Sequence, residues 1–113
     1  MIVLPECIES DIRGDEAALL LHIDAGGVWF QGHFDGHAIL PGVVQIGWAL
    51  QYAHRQFGFG PGLAAMEQVK FKRPIGPGQT LKLQLSRHPH GPRVRYEYRD
   101  AETSYSSGIL SFA

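Results

Sequence analysis

A glycine-rich loop that runs straight into a helix constrains this chain more than any other stretch. It reads Phe30-Gln31-Gly32-His33-Phe34-Asp35-Gly36-His37-Ala38-Ile39-Leu40-Pro41-Gly42-Val43-Val44-Gln45-Ile46. Gly32, Gly36, Pro41 and Gly42 interrupt every regular period, so the first part is loop. From Pro41 the pattern turns helical, since proline is tolerated in a first turn where its missing N–H is no loss. Apolar residues then recur through Val43, Val44, Ile46, Trp48, Ala49, Leu50, Tyr52 and Ala53. Apolar nearly all round, that helix is expected to be buried. His33, just ahead of it, stands among free N–H donors and the positive end of a macrodipole. Such a place suits polarising a carbonyl or holding an anion.

The 113 residues predict one domain spanning residues 1–113, with room for one modest core. Hydrophobic residues make up 44% and charged residues 19%, which argues for a globular chain rather than a disordered one. A formal net charge of −1 gives no electrostatic case for nucleic acid. No apolar run approaches the roughly 20 residues that span a bilayer, so no membrane span is expected. The lone Cys7 cannot form an internal disulfide, and with no charged-then-apolar pattern at the start no signal-peptide leader is expected. A reducing cytoplasm is the expected setting.

Along the chain, residues 1–16 are weakly patterned, read as a short strand and a loop. Ala17 to Ala25 reads as an apolar strand, Gly26-Gly27 as a hairpin turn and Val28-Trp29-Phe30 as the returning segment. The helix ends at the breaker cluster Gly58-Phe59-Gly60-Pro61-Gly62. Strands are then expected within Leu63 to Arg73, over Thr80 to Leu85, over Val94 to Tyr98 and over Ser104 to Phe112. In the first of these, alternation puts Lys70 and Lys72 on one face. The plan is α+β: one long buried helix wrapped by an antiparallel sheet of about five or six strands.

The order of elements and the central stretch resemble the hotdog-fold 3-hydroxyacyl-ACP dehydratases of fatty-acid and polyene synthesis. Gly32-His33-Phe34 matches that family's histidine loop, Leu40-Pro41-Gly42-Val43 its helix mouth, and Gln51 a glutamine further along the helix. Val69-Lys70-Phe71-Lys72-Arg73-Pro74, followed by Pro77-Gly78, resembles its next strand and turn. Val43-Val44-Gln45-Ile46 with Trp48 looks closest to the short dehydratase-like proteins of aryl-polyene and related pigment clusters. Two departures stand out. Asp35 replaces the family's proline after His-Phe, and Gly47 occupies the position of its catalytic acid.

On residue pattern alone, His33 is equally a general base and a histidine bonded to its own loop. The resemblance implies the base, with the Gly42 N–H holding the thioester carbonyl and Gln51 in a supporting role. It also implies that Phe34, Val43, Gly47 and Trp48 meet the substrate. Lys70, Lys72 and Arg73, with Arg55 as a further member, read as a solvated strand face. In a dehydratase of this kind they would dock an acidic acyl carrier protein, with coenzyme A thioesters as the alternative donor. No cofactor is required, because loss of water moves no net electrons. His33 and His37 stand four apart, but Gly36 and Pro41 argue against the helix on which that spacing would hold zinc, so no metal is expected. His88 and His90 fall in a turn and read as solvated.

Because Gly47 cannot exchange protons, three readings stay open. The chain is a 3-hydroxyacyl thioester dehydratase whose acid comes from Asp35, Glu67, water or a partner. Otherwise it is an acyl thioesterase, or a non-catalytic acyl-binding subunit of a heterodimeric dehydratase. The family's site draws its histidine and its acid from opposite protomers, so a homodimer or a heterodimer with another hotdog protein is expected.

Overall fold

The computed structural model describes residues 3–30, 38–60 and 62–113. His33 and Phe34 therefore lie outside the described residues, as do Asp35 and His37. Among the described residues, six strands and one long helix make up the fold: β1 (Glu6–Arg13), β2 (Glu16–His22), α1 (Gly42–Phe57), β3 (Leu63–Phe71), β4 (Thr80–Arg87), β5 (Arg93–Arg99) and β6 (Ser104–Phe112). All pairings are antiparallel, in the order β1-β2-β4-β5-β6-β3. The chain leaving α1 thus builds the far edge, β3, first, then crosses to pair β4 with β2 and fills the sheet outward through β5 and β6 until it meets β3.

Alternation decides which side of each central strand meets the helix. Ala17, Leu19 and Leu21 of β2, Leu81, Leu83 and Leu85 of β4, and Val94, Tyr96 and Tyr98 of β5 all point inward and are buried. Each leucine or valine so removed from water stabilises the fold by roughly 1.5–3 kcal/mol before entropy is counted. The helix answers with Gln45, Trp48, Ala49, Tyr52 and Ala53, a stripe at three- and four-residue spacing. It stops at Gly58, whose φ of 71° is left-handed and whose N–H returns to the His54 carbonyl.

Three expectations need correction. The helix is not buried all round: Val43 is 73% exposed, while Val44, Ile46 and Leu50 are half-covered, because the open sheet covers one side only. The short strand and loop expected among the N-terminal residues are a full edge strand, β1, whose length was not evident because all eight of its residues are exposed and carry no alternation. Val28–Phe30 is a turn of 3-10 helix and not a returning strand, since β2 already has β1 and β4 on its two edges. Trp29 there folds back over Gly27, and its indole N–H donates to the Val3 carbonyl at 2.8 Å.

On β3 a bulge sets Gln68 and Val69 against Gly108 alone, and Gln68 takes a φ of 53°. This edge strand is exposed nearly throughout, with Leu63, Met66 and Phe71 among its large apolar side chains.

Candidate active site

The helix mouth is built from its first residues upward. Pro41 is the N-cap, extended at φ −60° and ψ 144°, and its carbonyl accepts the N–H groups of Val44 and Gln45 at 3.1 Å. Helix geometry leaves the Gly42 and Val43 N–H groups without an intrahelical acceptor. They mark the positive end of α1, where a polarised carbonyl oxygen is favoured.

Next to these donors is a cleft of about 350 Å³ lined by Ile39, Leu40, Pro41, Gly42, Gln45, Phe71, Lys72, Arg73 and Pro74. Phe71, the last residue of β3, lays its ring against Gly42. Lys72 and Arg73 follow it on the rim, and their backbone N–H groups donate to the Tyr105 carbonyl at 2.8 and 3.1 Å. The Tyr105 hydroxyl donates to Asp100, whose other carboxylate oxygen accepts the backbone N–H groups of Glu102 and Thr103. The hydroxyl of Tyr105, followed by those two N–H groups, holds the Asp100 carboxyl below the usual carboxylate range. Gln79 adds to this network by donating to the Tyr105 hydroxyl and accepting the Gly76 N–H.

The structure brings some of the expected residues together and separates others. Gly42, Lys72 and Arg73 share the helix-mouth cleft. Lys70 lies round the edge, in a depression on the outer sheet face that Lys72 and Arg95 also line. Val43 is open at the mouth, and Gly47 is buried one turn further in. Trp48 is fully buried in the core, its indole N–H donating to the Val3 carbonyl at 2.9 Å. Gln51 is half-buried beside Leu50, His54 and Arg55, away from the helix-mouth cleft. Glu67, one of the acids considered to replace Gly47, accepts from Arg93 at 3.1 Å and does not line that cleft.

One residue at the mouth was not singled out from sequence. Gln45 is 3% exposed, and with Ser106 it forms the polar pair of the core among the described residues. Its Nε2 donates to the Leu40 carbonyl at 3.1 Å, while its Oε1 accepts the Ser106 hydroxyl at 2.6 Å. The Gln45 backbone carbonyl accepts the Tyr98 hydroxyl at 2.6 Å. Burial drives the Tyr98 pKa well above that of a free tyrosine, so this donor keeps its proton. The available signal was a glutamine inside an otherwise apolar helical run.

Comparison with known proteins places this geometry in a family. The ApeI-like model, described as ApeI dehydratase, matches residues 9–109. The 3-hydroxyacyl-[acyl-carrier-protein] dehydratase FabZ of Thermus thermophilus is 36% identical over 91 residues. That match covers 74% of this chain and 63% of the relative, so the chain spans about three-fifths of the length of this curated relative. Among solved structures, the dehydratase heterocomplex ApeI:P from Xenorhabdus doucetiae superposes with a TM-score of 0.87 at 31% identity. It covers 98% of this chain and 99% of that one. An uncharacterized protein from Erwinia carotovora subsp. atroseptica gives 0.78 at 30% identity, covering 98% and 97%. With one helix packed on a six-stranded antiparallel sheet and a family match over nearly its whole length, the chain has the hotdog fold and belongs to the ApeI-like dehydratase family.

Proposed function

We propose that this protein takes part in dehydrating carrier-linked 3-hydroxyacyl thioesters to trans-2-enoyl thioesters, in fatty-acid or polyene-type biosynthesis. The observation that carries the reading is the cleft in which the helix-mouth residue Gly42 lies beside Lys72 and Arg73. A thioester carbonyl held by the Gly42 N–H becomes more acidic at its α-carbon, and the same donor stabilises the enolate oxygen as charge builds there. His33 removes the α-proton. The C3 hydroxyl then leaves as water once a second group gives it a proton, and the double bond forms between C2 and C3.

Gly47 offers no side chain to give that proton. This favours a dimer in which a second hotdog protein supplies the acid, and the partly exposed apolar flank of α1 with the bare edge of β3 suits such a partner. The ApeI:P neighbour is itself a heterocomplex. Lys70, Lys72 and Arg73 would receive the acidic carrier protein, in the cytoplasmic setting expected for a chain with one free thiol.

Product analysis by mass spectrometry tests the reading, using a 3-hydroxyacyl carrier-protein thioester and His33→Ala in parallel. An enoyl product lost in His33→Ala is expected, from the protein alone or with an acid-bearing hotdog partner. Free acid in its place would make the protein a thioesterase. No product in either arrangement would sink the dehydratase reading.

A further inference from the structure

Leu40 is held from three directions. Its side chain is 2% exposed, its N–H donates to the Ile75 carbonyl at 2.7 Å, and its carbonyl accepts Gln45 Nε2. The acceptor identifies the amide orientation: a carbonyl oxygen can only accept, so the nitrogen of Gln45 must face Leu40 and its oxygen must face Ser106. Ser106, 1% exposed on β6, therefore donates and locks the amide against flipping. The Tyr98 hydroxyl on the Gln45 carbonyl fixes the same residue to β5.

Leu40 precedes Pro41, and Pro41 precedes the donors of the helix mouth. We propose that Gln45 is a positioning residue. Its buried amide, oriented by Ser106, clamps the Leu40 carbonyl and sets the direction in which the Gly42 and Val43 N–H groups face the cleft. An apolar side chain at residue 45 would fill the same space in the core. It would leave the Leu40 carbonyl without its side-chain donor, and the turn into α1 free to tilt. The substrate aspect rests on the dehydratase reading, while the clamp itself does not.

The test uses the full chain with Gln45→Glu, which sets oxygen against the Leu40 carbonyl, and Ser106→Ala, which removes only the locking hydroxyl. Backbone ¹⁵N relaxation is read at Gly42 and Val43, with Ala49 and Ala53 as internal controls. In the unaltered protein the order parameters at the mouth should be about 0.85, the value of rigid backbone. In both variants they should fall toward about 0.6 at Gly42 and Val43 and stay unchanged at Ala49 and Ala53. With a working 3-hydroxyacyl thioester assay, kcat should fall about tenfold in Ser106→Ala with KM within about twofold, because the donors act on the developing enolate. If Gln45→Glu does not fold, Ser106→Ala decides alone. Unchanged order parameters at Gly42 and Val43 would overturn the clamp whatever the rate does. Absence of turnover in the unaltered protein, both alone and with an acid-bearing hotdog partner, would count against the dehydratase reading and leave the relaxation result to judge the clamp.

Discussion

Gly42 and the ring of Phe71 are packed so closely that a methyl group added at residue 42 would lie 2.7 Å from the ring's Cζ. The first helical residue and the last strand residue of the edge therefore meet with no space for a side chain between them. Phe71 is 53% exposed, so its ring can swing outward, and the contact shapes the cleft more than it supports the core.

Gly42→Ala should accordingly leave thermal stability within a few degrees, since alanine recovers up to about 1 kcal/mol of helix propensity while the ring gives way. Turnover of a 3-hydroxyacyl thioester should fall, because the displaced ring changes the cleft. Differential scanning calorimetry beside steady-state kinetics checks both halves. A large stability loss would mean that the ring is not free to move.

Neutralising the rim separates docking from chemistry. Lys72→Ala combined with Arg73→Ala should lower kcat/KM for a carrier-protein substrate about tenfold or more at low salt, and for a pantetheine thioester by less than about twofold. The gap between the two substrates should close as ionic strength rises. Equal losses on both would remove the docking role.

Tyr96 and Tyr98 offer a matched pair on the inner face of β5. Both are fully buried, yet Tyr98 donates to the Gln45 carbonyl while the Tyr96 hydroxyl has no hydrogen-bond partner among the described residues. Burial pushes the Tyr96 pKa to about 12. Tyr98→Phe should cost about 1 kcal/mol or more, because a buried carbonyl loses its donor. Tyr96→Phe should be neutral or stabilising. Urea denaturation of the two variants gives the comparison directly, and a clear loss in Tyr96→Phe would show that its hydroxyl is satisfied in solution.

Asp100, which holds the Tyr105 hydroxyl and the turn before β6, gives the fold a pH dependence of known sign. Its folded pKa is lowered, so the stabilisation is fully present above the unfolded value near 3.8 and is lost as pH falls through the lower folded value. Asp100→Asn should be less stable than the unaltered protein by a constant amount above about pH 5. The difference should shrink below about pH 4. Melting temperatures measured for both proteins across that range test this, and a gap that widened in acid would contradict the assigned direction.

Much of the fold was legible because its signals are periodic. The leucines of β4 alternate cleanly, and β6 was read at its observed bounds. Alternation also placed Lys70 and Lys72 on one face, and both line the outer depression. What escaped reading had no period to offer. A short strand was expected ahead of residue 17, but the length of β1 was not legible, because it is exposed on both faces, its side chains carry no inward set, and its pairing with β2 is made by backbone. Gln45 is a single polar position whose partners, Leu40 and Ser106, stand 5 and 61 residues away in sequence. The exposed flank of α1 looked like core because a sequence does not say how much of its apolar surface the same chain will cover.

The carbonyl of Val3 receives the indole N–H groups of both Trp29 and Trp48, whose rings meet edge to face with centroids 5.0 Å apart. These are the chain's two tryptophans. All of its indole fluorescence therefore originates at one spot, where residues just ahead of β1 seal against the helix one position past Gly47. The protein carries its own optical gauge there, able to follow the docking of that segment without an added dye.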